Sequence, residues 1–125
     1  MHELSIAHSI LSIAERSFPA GTKGYITGVN IQVGELSSID TEALLFAFSA
    51  IRSGTVLERA ELHIETIPGE ARCPECGTVF HMDSFGKACP QCQGYLVNIL
   101  QGKELKVLSL SVEEEEPALH AWLQS

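Results

Sequence analysis

Apolar residues near the start of the chain recur as Leu4, Ala7, Leu11 and Ala14, with Ile6, Ile10 and Ile13 widening the stripe. Spacing by three and four puts one continuous apolar face on a helix, so an amphipathic helix is predicted from Glu3 to Phe18. The run FPAGTKG ends it, because Pro19, Gly21 and Gly24 break helical structure. The period then changes to two. In YITGVNIQV, Tyr25, Thr27, Val29, Ile31 and Val33 would share one side of a half-buried strand. In GELSSIDTEALLFAFSAI, Ser38 or Asp40 can cap a second helix that packs Leu44, Leu45, Ala47 and Phe48. Alternation returns in AELHIETIP, with Leu62, Ile64 and Thr66 opposite His63, Glu65 and Ile67, and again in KELKVLSLSV, with Leu108, Leu110 and Val112 facing one way.

This order of elements predicts an α/β (α+β) fold: two helices on a small three-stranded sheet, with an insertion between the second and third strands. The expected boundaries are 1–70 plus 101–125 for the α/β domain and 71–100 for the inserted one. The pattern of residues leaves strand order open.

All four cysteines lie in the insertion, as CPEC at Cys73 and Cys76 and CPQC at Cys89 and Cys92. Two such knuckles bring four thiolates to the corners of a tetrahedron around one Zn²⁺, with Gly77 and Gly94 in the turns that aim the backbone at the metal. Disulfides are disfavoured in a reducing compartment, and redox dithiols lack a thioredoxin-like context. A four-cysteine set fills the coordination sphere, so this zinc is structural and its module is a zinc ribbon. It also lets a stretch with few large apolar groups fold, since binding the metal contributes folding free energy.

The chain has 125 residues, 45% of them hydrophobic and 19% charged, a globular composition with room for one modest core and a metal-held module. No apolar run approaches the roughly 20 residues that span a bilayer, and Glu3, His8 and Glu15 interrupt any secretory pattern. A cytoplasmic protein is expected. The formal net charge of −8, to which zinc and four thiolates add further negative charge, repels a phosphate backbone and argues against nucleic acid as a partner.

The opening Met-His-Glu carries a second candidate chemistry. The α-amine of Met1, the backbone nitrogen of His2 and its imidazole form fused small chelate rings, and the backbone nitrogen of Glu3 is available as a fourth donor. Planar nitrogen coordination suits Ni(II) or Cu(II), whereas zinc gains nothing from it. The plainer reading is the first turn of a helix, with Glu3 near the positive end of the dipole. Residue chemistry alone leaves both open.

Together with the helix, VGELSSID, GTVLERAELHIE and the two CxxC pairs, this opening resembles the HypA/HybF family of hydrogenase maturation factors over nearly the whole length. Two departures are Arg59, where the family often has glycine, and a longer tail beyond Val112. The resemblance implies a nickel metallochaperone, not an enzyme, with Ni(II) as transferable cargo at Met1, His2 and Glu3. It implies structural zinc at Cys73, Cys76, Cys89 and Cys92. The implied partners are a HypB-type GTPase and the large subunit of a [NiFe]-hydrogenase, with urease accessory proteins in some organisms. A different class of function, a zinc-ribbon protein-interaction module with no nickel role, is the alternative.

No catalytic constellation stands out. His8, His63, His81 and His120 fall in separate elements and read as surface histidines, His81 being nearest in sequence to the cysteines. The ending VEEEEPALHAWLQS joins an acid run to Leu119, Trp122 and Leu123. Its simplest reading is a solvated tail, and the alternative is a docking segment.

Overall fold

A computed structural model describes residues 3–19 and 21–114. Helix α1 (Glu3–Ser17) and strand β1 (Tyr25–Gly34) are followed by a 3-10 turn (Glu35–Ser37), helix α2 (Thr41–Ile51) and strand β2 (Glu61–Ile67). Three short strands come next, β3 (Glu70–Arg72), β4 (Val79–His81) and β5 (Asn98–Gln101), and β6 (Leu105–Glu113) closes the order. Two three-stranded sheets result, β2-β1-β6 and β4-β3-β5. The predicted helices and the three long strands are all present, and the insertion forms a sheet of its own.

In the larger sheet β1 is central, parallel to β2 and antiparallel to β6. The parallel pair requires a crossover connection, and α2 supplies it. Both helices bury their apolar faces in one cluster with the sheet: Ile6, Ala7, Ile10 and Ala14 from α1, Leu44, Ala47 and Phe48 from α2, and Val29, Ile31 and Val33 from β1. The stripe on α1 is wider than the core can cover, which leaves Leu4 half exposed; on α2, Leu45 is turned outward for the same reason.

Two bulges correct the simple alternation read from the strands. Ile26 pairs with Val112 and Gly28 with Ser111, so Thr27 is an extra residue on β1. The buried side therefore runs Ile26, Val29, Ile31, Val33, while Tyr25 and Thr27 face away from it. Asn30 pairs with Ser109 and Ile31 with Val107, which makes Leu108 the extra residue on β6 and leaves it half exposed. The outer face is polar: Asn30 Nδ2 donates to Ser109 Oγ at 3.1 Å and Gln32 Nε2 to Glu65 Oε1 at 3.1 Å. Arg59 places its guanidinium 4.4 Å from the centre of the Tyr25 ring in a cation–π contact.

Asp40 caps α2, its Oδ1 accepting from the backbone N–H groups of Glu42 and Ala43 at 3.0 and 3.1 Å. Ser38, the other candidate, instead takes a left-handed conformation that ends the 3-10 turn.

Where the two sheets adjoin, three glycines meet. Met82 N–H donates to Gly69 O at 2.8 Å, Gly34 N–H to Glu104 O at 2.7 Å and Leu36 N–H to Gly102 O at 2.6 Å. A Cβ on Gly34 would strike the Gly102 carbonyl, and one on Gly69 would strike the Met82 carbonyl. Leu36 fills the remaining space and forms a second small core with Ala71 and Met82.

Candidate metal centre

The two CxxC segments build nearly the same backbone turn. Cys73 N–H donates to Thr78 O at 2.9 Å and Gly77 N–H returns to Cys73 O at 2.8 Å; Cys89 N–H donates to Gly94 O and Gln93 N–H returns to Cys89 O, both at 2.8 Å. Gly77 and Gln93 thus occupy equivalent places, and both are left-handed, with φ of 76° and 68°. This corrects the expected role of Gly94, since the left-handed residue of the second knuckle is Gln93. A non-glycine residue tolerates that conformation here because hydrogen bonds on either side hold it.

The four sulfurs all lie within 4.8 Å of one another, with Cys73 Sγ and Cys92 Sγ 3.4 Å apart and Cys76 Sγ and Cys89 Sγ 3.6 Å apart. Tetrahedral zinc with Zn–S bonds of about 2.3 Å requires sulfurs about 3.8 Å apart, so the set fits the ion. Cys73 and Cys89 are buried, and Cys76 and Cys92 are exposed.

The electrostatics of the thiols point the same way. Hydrogen bonds from the hydroxyl and backbone N–H of Thr78 favour the Cys76 thiolate and bring its pKa down to about 6. At Cys92 the Gly94 N–H also favours the thiolate, but the crowding sulfur of Cys73, burial, and Cys76 and Cys89 outweigh it and push the pKa up to about 12. Four thiols so close together cannot all ionise unaided. A divalent cation removes that conflict by stabilising every thiolate at once.

Among the described residues the cluster consists of these four cysteines alone. His81 lies apart from it and bonds to Glu35, Nε2 to Oε1 at 2.7 Å. The same Glu35 oxygen accepts from Gly69 N–H at 2.9 Å, so one carboxylate ties the short sheet to the end of β2. The sequence marks His81 only as a surface group, and nothing local in it pairs this histidine with a residue so far along the chain. His8 and His63 are exposed, the ring of His63 lying over Gly28. His120 is outside the described residues.

The bond from Gly69 N–H, and then that from His81, holds the Glu35 carboxyl below its ordinary value of 4.5. A depressed folded-state pKa contributes stability above the unfolded value, which is lost as pH falls through the folded one. Glu35→Gln is expected to lower stability at neutral pH and to flatten part of the acid loss below about pH 4.5. Urea unfolding midpoints measured from pH 3 to pH 7 check this, and parallel pH profiles for the two proteins would contradict it.

At the other predicted site, Met1 and His2 lie outside the described residues. Glu3 opens α1, and its Oε2 accepts from Asp40 N–H at 3.0 Å, a bond that lowers the Glu3 pKa. The starts of α1 and α2 are therefore joined, with the Glu3 side chain committed to Asp40. Its backbone N–H belongs to the first helical turn, where amide groups have no partner within the helix.

Fold and site together define a small α/β protein with a four-cysteine zinc-ribbon module. Residues 1–112 match the family model described as hydrogenase/urease nickel incorporation, metallochaperone, hypA. The chain is 37% identical over 115 residues to a hydrogenase maturation factor HypA of Parabacteroides distasonis, covering 92% of this chain and 100% of the relative. A relative of the same name from Geobacter sulfurreducens is 40% identical over 113 residues, covering 90% and 100%. The solution structure of the Ni metallochaperone HypA from Helicobacter pylori superposes with a TM-score of 0.61 at 30% identity, covering 92% of this chain and 100% of that one. A second solution structure of a HypA protein gives 0.65 at 31% identity, covering 92% and 98%. The chain belongs to the HypA family of nickel metallochaperones and hydrogenase maturation factors. That membership favours the nickel reading over a zinc-ribbon interaction module without a nickel role.

Proposed function

We propose that this chain carries Ni(II) at its N-terminus, on the Met1 amine, the backbone nitrogen and imidazole of His2 and the backbone nitrogen of Glu3. Structural Zn(II) is held by Cys73, Cys76, Cys89 and Cys92. The carrying observation is the sulfur cluster itself: four donors within 4.8 Å saturate one tetrahedral ion and leave no open position for a transferable one. Cargo then needs a separate, labile site. The family match beginning at residue 1 includes the three residues that can form it.

In this reading residues 1–70 plus 101–125 form the nickel-binding domain and 71–100 the zinc-binding one. Nickel passes to the large subunit of a [NiFe]-hydrogenase with the help of a HypB-type GTPase, in the cytoplasm, and the chain catalyses no reaction of its own. Urease accessory proteins are second recipients, in keeping with the family's description. Glu3 supports the arrangement because its side chain, anchored on Asp40 N–H, fixes where α1 begins, next to the proposed donors. Affinity alone would favour copper, so selectivity for nickel comes from metal supply and partner recognition.

Nickel titration of protein with an unmodified start tests the site. One planar site per chain is expected, lost in His2→Ala and lost when a tag extends the amine, while zinc content stays at one per chain. Affinity should fall with pH, since amine, imidazole and amides must all be deprotonated to bind. X-ray absorption should count nitrogen donors in a plane. Equal nickel affinity in the extended protein, or sulfur in the nickel spectrum, would show that the clamp lies elsewhere.

A further inference from the structure

The two knuckles are near copies, CPECGT at residues 73–78 and CPQCQG at residues 89–94, and they differ where a side chain meets the second sulfur. Thr78 and Gly94 hold equivalent places, since the carbonyl of each accepts from the N–H of the first cysteine of its own knuckle. Thr78 Oγ1 lies 3.2 Å from Cys76 Sγ and donates to it once that sulfur is a thiolate. Gly94 has no side chain to do the same for Cys92. A Cβ built on Gly94 would lie 3.5 Å from Cys92 Sγ and 3.5 Å from Glu75 Oε2. The place a hydroxyl fills beside Cys76 is therefore bordered at Cys92 by a carboxylate, an acceptor with no proton to give.

Cys73 and Cys89 are buried, so a reagent in water meets the centre first at Cys76 or Cys92, the exposed pair. Zinc keeps all four sulfurs as thiolates, and what else touches each sulfur then sets its reactivity. A charge-assisted hydrogen bond holds down the electron pair of a thiolate and slows its attack. Cys76 has such a bond from a hydroxyl, and at Cys92 a glycine stands in its place.

We infer that Cys92 is a modification site, the sulfur at which the zinc-loaded centre reacts with hydrogen peroxide, and that Cys73 completes the reaction. In the first step the Cys92 thiolate attacks one peroxide oxygen: an S–O bond forms, the O–O bond breaks and hydroxide leaves, giving a sulfenic acid. In the second the Cys73 thiolate, its sulfur 3.4 Å from that of Cys92, attacks the oxidised sulfur. An S–S bond forms, the S–O bond breaks and a second hydroxide leaves. Two thiolates have lost two electrons and one peroxide has gained them. Cys76 and Cys89 alone then remain for an ion that needs four ligands, so it is released. The module answers an oxidant by losing the metal that folds it. The inference rests on the zinc reading of the four cysteines and on nothing at the N-terminus.

Full-length protein is the material for the test, with its zinc content measured before any reagent is added. With iodoacetamide below one equivalent, peptide mass spectrometry should find Cys92 labelled about tenfold more than Cys76, a ratio within what one hydrogen bond to a charged group supplies. Hydrogen peroxide should release zinc to a chromogenic chelator and leave a disulfide between Cys73 and Cys92 as the first product. Thr78→Val removes the hydroxyl and should raise labelling of Cys76 to the level of Cys92. Gly94→Thr, whose Cβ meets only ordinary contact distances, gives Cys92 the donor it lacks and should slow zinc release several-fold. Equal or greater labelling of Cys76 in the native protein overturns the inference while leaving the zinc site standing. A first disulfide that omits Cys92 does the same. If Gly94→Thr fails to hold zinc, Thr78→Val decides alone, and a labelling ratio it leaves unchanged overturns the inference. Protein without zinc before the reagent is added would overturn the inference and the zinc assignment together.

Discussion

Cys89→Ser is expected to release the zinc and to collapse the amide dispersion of residues 70–101, while the helices and the larger sheet stay folded. Two facts set the size of the effect. Apart from the cysteines, the buried apolar groups of the short sheet and its surroundings, among the described residues, are Leu36, Ala71 and Met82, far too few to offset the conformational entropy of some thirty residues. Structural zinc, by contrast, contributes an apparent stabilisation of about 10–16 kcal/mol to small modules of this kind. Cys89 is fully buried, its backbone carries both hydrogen bonds of the second knuckle, and its sulfur accepts from Gln91 N–H at 3.4 Å. A serine there has a harder, poorer donor atom and no room to draw back. The helices and β2-β1-β6 have their own core, from Ile6 to Leu62, and need no metal. Zinc content by mass spectrometry and a two-dimensional amide spectrum read the result. Retention of zinc and full dispersion in Cys89→Ser would show that packing, not the metal, holds the module.

Gly102→Ala should cost about 3 kcal/mol or more of unfolding free energy, a large effect for adding one methyl group. Two terms add at this position. With φ at 116° the backbone lies where L-residues are strained. The new Cβ would also sit 2.6 Å from Gly69 Cα and 3.1 Å from Leu36 Cδ1. Gly69 is backbone hemmed in by Met82 O and cannot yield as a flexible side chain could. Gly54→Ala is the control, since φ is 75° there and nothing lies within 4 Å of the added atom, so only the conformational term of about 1–2 kcal/mol remains. Urea denaturation of both variants separates packing from strain. Equal costs would mean that the three-glycine contact contributes nothing.

Helix α1 was legible because its apolar residues repeat at a helical period over four turns, and α2 because Asp40 precedes such a run. The strands were legible as elements but misread in detail. Period-two reasoning assumes one residue per rung, and the bulges at Thr27 and Leu108 each insert a residue, reversing the side on which Tyr25, Thr27 and Leu108 fall. Nothing local distinguishes a bulged residue from a paired one, because the partner strand that skips it lies more than 70 positions away. The knuckles show the same limit. Spacing located all four cysteines, yet Gln93 took the left-handed place assigned to a glycine because two hydrogen bonds to Cys89 and Gly94 hold that turn.

By itself, then, the order of residues determined the helices, the three long strands, the pairing of the four cysteines as candidate ligands and the inserted position of their module. Each of these rests on contacts between near neighbours or on fixed spacing. Tertiary structure alone decided that β1 is central, that Glu35 joins Gly69 to His81, and that Glu3 rests on Asp40. These are meetings of residues distant along the chain. Which of them form depends on how whole layers pack and where the strands fall in register, quantities that no window of sequence contains.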